Sequence, residues 1–322
     1  MSKHGSNTKT TGGAAAKSKT HPPAGGSKPG ANRAARRRSS AKRSRTTMQS
    51  RRIALISIGL VVAIAAGLVV AKLVSHPAAA TGTSAAPAAV VHDATHVPAS
   101  TFEQVGVGSN LVAPAALPGG TPALTSGGKP QVLYIGAEYC PYCAAERWAT
   151  VVALSRFGTF SGLGGTESST TDIFPGTKTF TFHGSTFDGS DVAFKGVELQ
   201  TNQPNGNGGY TALDTPTAQE QQLLRAYDIP PYSSSAGGIP FIDIGGRYVV
   251  SGATFDPSVL KGLTLEQIAS RLSDPNDPVA KAIDGSANLI TAAICAAANQ
   301  GPAVCSSPEV KQAAAVLARS SG

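Results

Sequence analysis

The strongest hydrophobic signal in the chain is a run of 19 residues without a charge, IALISIGLVVAIAAGLVVA, from Ile53 to Ala71. At about 1.5 Å per residue a helix of that length spans about 28 Å, close to the hydrocarbon thickness of a bilayer. Ser57 and the glycines leave no polar face for water, so residues 53–74 are expected to form one transmembrane helix. Beyond it the apolar residues fall into short groups. Val132 to Ile135 suits a buried strand. In PYCAAERWATVVALSRF, Cys143, Arg147, Val151 and Leu154 recur at three- to four-residue steps, which predicts a helix ending near Gly158. TKTFTFHGSTF alternates Thr with Phe as a half-buried strand does, and Val192 to Leu199 reads as another. TPTAQEQQLLRAYD (215–228) predicts a helix capped by Thr or Pro. Phe241–Ile244 and Tyr248–Val250 predict a hairpin turning at Gly245-Gly246. LTLEQIASRLSD (263–274) predicts a closing helix. Ala280 to Leu317 predicts two Ala-rich helices broken at Asn299-Gln300-Gly301-Pro302. The order β-α-β…α-β-β-α predicts an α/β body with a mixed sheet.

Charge divides the chain at the same place. Residues 1–52 hold 14 of the 27 Lys and Arg and none of the 19 Asp and Glu, so the remainder carries 13 basic and 19 acidic side chains, a net of −6. The tail is rich in Gly, Ala and Ser and is expected to be disordered. Its basic run from Arg33 to Arg45 reads as a topology signal, although it could touch nucleic acid or anionic lipid. The basic excess before the apolar run places the N-terminus in the cytoplasm and everything after about residue 75 outside. The competing reading is a cleaved signal peptide, since Ala78 to Ala80 follow the run, but a 52-residue basic region before the run is too long for one. Residues 75–96, rich in Ala, Pro and Thr, read as a linker. Residues 97–322 read as the folded extracytoplasmic body, with 280–322 as a helical C-terminal extension, and the body is long enough for a substantial core. Its acidic balance gives no face for nucleic acid.

Candidate chemistry rests on cysteine. Cys140 and Cys143 form a Cys-x-x-Cys at the predicted helix start, and Cys295 and Cys305 lie ten residues apart across the Gly-Pro break. The first pair could be a zinc knuckle, a structural staple or a redox dithiol. Zinc would need four ligands, yet His183 is the one histidine after Gln131 and the other two cysteines have the wrong spacing, so no metal is expected. A staple at a helix start would stabilise little. Redox chemistry has a positional case. Unpaired N–H groups and the helix dipole favour an anion at Cys140, Pro141 suits the first helical position, and Cys143 lies within reach to resolve a mixed disulfide. Cys295 and Cys305 are expected to bond and staple a helical hairpin, worth about 3 kcal/mol in the chain-entropy model, with a second redox pair as the sharper alternative. A second signal lies downstream: Ile239-Pro240 opens a predicted strand, where a proline fits only at the start and a cis bond is compatible. Trp148 is read as core, and His183 as a satisfied polar side chain. Tyr142, between the thiols, is expected to tune them or touch substrate, and Tyr139 reads as a cover for the site.

These features resemble the thioredoxin fold. GAEYCPYC resembles the thioredoxin active-site pattern, CPYC carries the dipeptide typical of glutaredoxins, and DsbA-class oxidoreductases share the arrangement. LYIGAEYCPYCAAERWA and LSRFGTFSGL further resemble a family of membrane-anchored thioredoxin-like proteins known as a domain of unknown function. The resemblance implies Cys140 as nucleophile, Cys143 as resolving thiol, and Pro240 facing them, with Ile239 and Tyr142 beside a bound substrate strand. One departure is plain: where thioredoxins place a buried carboxylate, six residues before the first cysteine, this chain has Tyr134. The nearest acid, Glu138, is expected at the surface. Proton transfer from Cys143 would then use water or another group.

The function expected is a membrane-tethered oxidoreductase that forms or rearranges disulfides in exported proteins. It would need no cofactor of its own and would be regenerated by a membrane partner such as a quinone-linked oxidase. The alternatives are a thiol reductase fed by a membrane electron carrier, and a thioredoxin-like binding module with an idle dithiol.

Overall fold

The computed structural model describes residues 84–233 and 236–320. The expected basic tail (1–52), transmembrane helix (53–74) and first part of the linker (75–83) lie outside the described residues.

In chain order the elements begin with β1 (Ser84–Ala85), α1 (Ala88–Thr95), α2 (Ala99–Val105), β2 (Ala115–Ala116), β3 (Thr125–Ser126) and β4 (Lys129–Gly136). Then come α3 (Pro141–Leu154), β5 (Gly158–Ser161), β6 (Gly164–Glu167), β7 (Lys178–Thr181), β8 (Thr186–Gly189), β9 (Ala193–Glu198), β10 (Gln200–Pro204) and β11 (Tyr210–Ala212). The last are α4 (Ala218–Tyr227), β12 (Phe241–Ile244), β13 (Tyr248–Ser251), α5 (Leu265–Arg271), α6 (Pro278–Ala297) and α7 (Pro308–Ser320). The result is a mixed α/β body.

Its main sheet runs β2-β13-β12-β4-β9, with β3 pairing the start of β4. β12 lies antiparallel to β4, and β9 lies parallel to it. Such a sheet is covered on both faces, and β4 is accordingly apolar throughout its second half. Alternation along β4 sends Leu133 and Ile135 to one side, where they meet Val197, Phe241 and Val249 beneath α4. Val132 and Tyr134 go to the other side and join the large core containing Trp148, Phe180, Phe182, Ile242, Ile244 and the residues of α3 and α6. The β12–β13 hairpin turns on Gly245 (φ 64°) and Gly246 (φ 67°), a left-handed pair that glycine adopts without strain.

Helix α3 is the centre of the body. Of its 14 residues 13 are buried, Tyr142 being the exception. It lacks a solvent face, so Glu146, Arg147 and Thr150 must be accommodated inside. Helix α4 starts with a capping box between Thr217 and Glu220, and α5 with another between Thr264 and Gln267.

Among the described residues α6 is long and apolar enough to cross a bilayer, but 83% of its apolar window is buried inside the body, and packing accounts for its composition. A disulfide joins Cys295 near the end of α6 to Cys305 in the short 3-10 turn that precedes α7.

The folded body starts earlier than residue 97. Residues 84–95, expected as linker, form β1, which pairs with β6, and α1, whose Val90 and Ala94 are buried. The Ala- and Pro-rich composition hides a four-residue apolar step that is enough to dock one helix turn.

Candidate functional site

Cys140 is the N-cap residue of α3, and Pro141 occupies the first turn. The Cys143 amide donates to Cys140 Sγ at 3.3 Å, and the Cys140 thiol lies 3.6 Å from the Ile239 carbonyl oxygen. The Ile239-Pro240 peptide is cis. β12, which begins immediately after Pro240, pairs Phe241 with Ile135, and this register brings residues about 100 apart in sequence to one end of the sheet. The two sulfurs are free thiols, Cys140 6% exposed and Cys143 fully covered, so only the first can meet an incoming group.

Their electrostatics differ. The hydrogen bond from the Cys143 thiol is the largest cause lowering the Cys140 pKa. Burial opposes it, and the Cys143 amide, the Arg147 charge and the Tyr142 amide add to it. Burial pushes Cys143 well above the usual thiol range, the hydrogen bond to Cys140 and the Cys140 charge act in the same direction, and Arg147 acts against them. Of the two thiols, Cys140 is therefore the more readily ionised and Cys143 the more firmly protonated.

Beneath the pair lies a charged cluster. Arg147 donates through Nε to Glu198 Oε1 at 2.8 Å and through Nη2 to Oε2 at 2.7 Å, both side chains being fully buried. Burial alone would favour neutral Arg147, but Glu198 outweighs it and the guanidinium stays charged. The Arg147 Cζ stands 5.8 Å from the centre of the Tyr134 ring. Burial raises the Tyr134 phenol well above its usual range, so it remains a proton donor. Among the described residues neither the Tyr134 hydroxyl nor Arg147 Nη1 has a hydrogen-bond partner.

A family model described as Domain of unknown function (DUF929) matches residues 121–296. The chain belongs to this family. The matched segment holds β4, α3, the cis proline and most of α6, so the dithiol and the cluster beneath it lie within the family's own domain. No curated protein matches the chain, and no solved structure matches it.

The remaining expected residues are placed as follows. Tyr142 is 39% exposed and meets Phe174 edge-on at 5.8 Å, beside exposed Ile173. Tyr139 stacks on Tyr210 at 4.2 Å, and its carbonyl accepts from the Ser169 amide at 2.8 Å. Trp148 is buried, its indole N–H donating to the Lys178 carbonyl at 2.9 Å. His183 pairs with Asp214 at 2.7 Å, and the other Asp214 oxygen accepts from the Glu198 amide at 2.9 Å. Cys295 and Cys305 are bonded to each other and take no part in the site. Among the described residues no group of three or more His, Cys, Asp or Glu could hold a metal.

One expectation is corrected. Glu138 is fully buried, because the Ala137–Tyr139 connection runs beneath β10 and the Glu138 amide donates to the Gln200 carbonyl at 2.9 Å. Sequence reasoning also missed Arg147, Glu198 and Glu146. Two charged residues one after the other on a helix with no polar face were the available signal for Glu146 and Arg147.

Proposed function

We propose that this protein is a membrane-tethered, extracytoplasmic thiol–disulfide oxidoreductase with a thioredoxin-like core, forming or rearranging disulfides in exported proteins through Cys140 and Cys143. The observation that carries the reading is the setting of Cys140. Its sulfur caps a helix, receives an amide, and faces the backbone of Ile239 across the entrance to β12.

The chemistry follows from that setting. With the pair oxidised, a substrate thiolate attacks Cys140 Sγ. The Cys140–Cys143 bond breaks, and Cys143 leaves with its electron pair. A second substrate thiolate then attacks the substrate sulfur bound to Cys140, releasing a substrate disulfide and Cys140 as thiolate. Two electrons have passed to the pair. A membrane quinone-linked oxidase returns it to the disulfide. Tyr142, Ile239 and Pro240 border the attacked sulfur and would contact the substrate strand.

Arg147 favours the donor direction. Its buried charge favours the Cys140 thiolate, hence the reduced pair, which makes the disulfide more oxidising. The test is the reduction potential of the pair in full-length protein equilibrated with glutathione buffers, the Cys295–Cys305 bond being mapped separately by mass. A value between about −120 and −180 mV supports a disulfide donor, and one near about −270 mV would make the protein a reductase. A pair that does not exchange would leave a binding module.

A further inference from the structure

We infer that the Tyr134 hydroxyl and Arg147 Nη1 form a two-donor cradle that receives the Cys143 sulfur as a thiolate when the disulfide opens, taking the position that a buried carboxylate fills elsewhere in the thioredoxin pattern. This rests on the redox reading of the Cys140–Cys143 pair.

The placement comes from register and helix period. Tyr134 and Gly136 project from one face of β4, two residues apart, and Glu198 of parallel β9 is the register partner of Gly136. Helix α3 lies on that face, and Arg147 follows Cys143 by one turn, so both look down on the same strip of sheet. Gly136 is what lets the phenol reach upward, since a Cβ there would stand 2.3 Å from the Tyr134 oxygen. The hydroxyl therefore points towards the end of β4 from which the Cys140 connection leaves. Arg147 spends Nε and Nη2 on Glu198 and keeps Nη1 unspent.

Two buried donors without an acceptor are a costly combination, and a phenylalanine would fill the Tyr134 space without that cost. The cost has a use if an acceptor forms there during the reaction. Cys143 is the neighbour that becomes one: its electrostatic partners are Cys140, Arg147 and the Ala137 amide, and Tyr134 in turn feels Arg147, Cys143, Glu198 and Cys140. When a substrate thiolate attacks Cys140 Sγ, the electron pair of the broken bond stays on Cys143 Sγ. The two donors stabilise that anion until it takes a proton. In the reverse step the same donors hold the Cys143 thiolate as it attacks Cys140 Sγ of a mixed disulfide. Glu198 fixes the guanidinium through Nε and Nη2, which leaves Nη1 for the sulfur. Tyr134 and Arg147 are positioning residues, acting through Cys143.

The test compares wild type with Tyr134→Phe in full-length protein. The Cys140–glutathione mixed disulfide is formed, and its resolution by Cys143 is followed by mass as a function of pH. Tyr134→Phe is expected to slow resolution at pH 7 by about tenfold, the loss of one hydrogen bond to a charged group, and to shift its profile to higher pH. The pH profile of Cys140 alkylation should stay in place, which a general loosening of the site would not allow. Arg147→Gln combined with Glu198→Gln removes the ion pair without stranding a charge and should slow resolution in the same sense. Unchanged resolution in Tyr134→Phe, with wild type active, would overturn the cradle and leave the redox reading intact. A wild-type pair that does not exchange with glutathione overturns both.

Discussion

The Tyr134 hydroxyl occupies the space that a side chain at Gly136 would need, its oxygen standing 2.3 Å from the position of a Cβ there. Gly136→Ala is therefore expected to push the phenol down against Phe182, its edge-on neighbour at 4.8 Å. Overpacking of this kind costs about 1–3 kcal/mol. A urea midpoint measured on both proteins checks it, and combining Gly136→Ala with Tyr134→Phe should restore part of the loss. An unchanged midpoint would mean that the strand yields without cost.

Cys140 and Cys143 should separate by role. Cys140→Ser is expected to abolish disulfide exchange while leaving the melting temperature within a few degrees. Cys143→Ser should leave Cys140 able to attack and trap a mixed disulfide, visible by mass after incubation with an oxidised peptide. Trapping by Cys140→Ser in place of Cys143→Ser would reverse the assignment.

Glu146 gives the body a pH dependence. Burial raises its pKa to about 7, against 4.5 for the free side chain, and the two bonds that Oε2 accepts from Thr254, both 2.8 Å, only partly offset this. The folded state holds the proton more tightly, so the stability from this group is fully present below about pH 4.5 and is lost as the pH rises through about 7. The shift amounts to about 3 kcal/mol. Asp243, raised to about 6 by burial, adds in the same sense at lower pH. Glu146→Gln keeps an acceptor for Thr254 and should flatten the decline in urea midpoint between pH 5 and pH 8. An equal decline in both proteins would place the titration elsewhere.

The Cys295–Cys305 bond is expected to act on stability alone. Replacing both cysteines with Ala should lower stability by about 3 kcal/mol, as loop closure predicts for a ring of this size, and leave the exchange rate at Cys140 unchanged. A fall in exchange without a fall in stability would make this pair an electron relay.

How much of this could be read from the residues depends on where the partners lie. Helix α3 was legible because Cys140, Pro141 and the apolar steps after them are local signals. The β12–β13 hairpin announced itself through Gly245-Gly246, and Ile239-Pro240 through its place before a strand. Helix α1 was not legible, because Val90 and Ala94 are too few apolar anchors to stand out from an Ala- and Pro-rich context. Glu138 was misplaced because its burial depends on β10, more than 60 residues later in the chain. The Arg147–Glu198 pair joins residues 51 apart, and only the parallel register of β4 with β9 brings them together. Tyr134 stands out in the sequence as a departure from the thioredoxin pattern, but the cradle proposed for it depends on Gly136 and Arg147, which the strand and the helix each supply separately.

The ring between Cys295 and Cys305 also bears on how the protein matures. It lies close to the C-terminal end, more than 150 residues after the free pair, so each newly made copy needs one oxidation of its own before its last helix is secured. A shortage of oxidant during synthesis would therefore cost this hairpin its covalent closure, whatever the state of the Cys140–Cys143 pair.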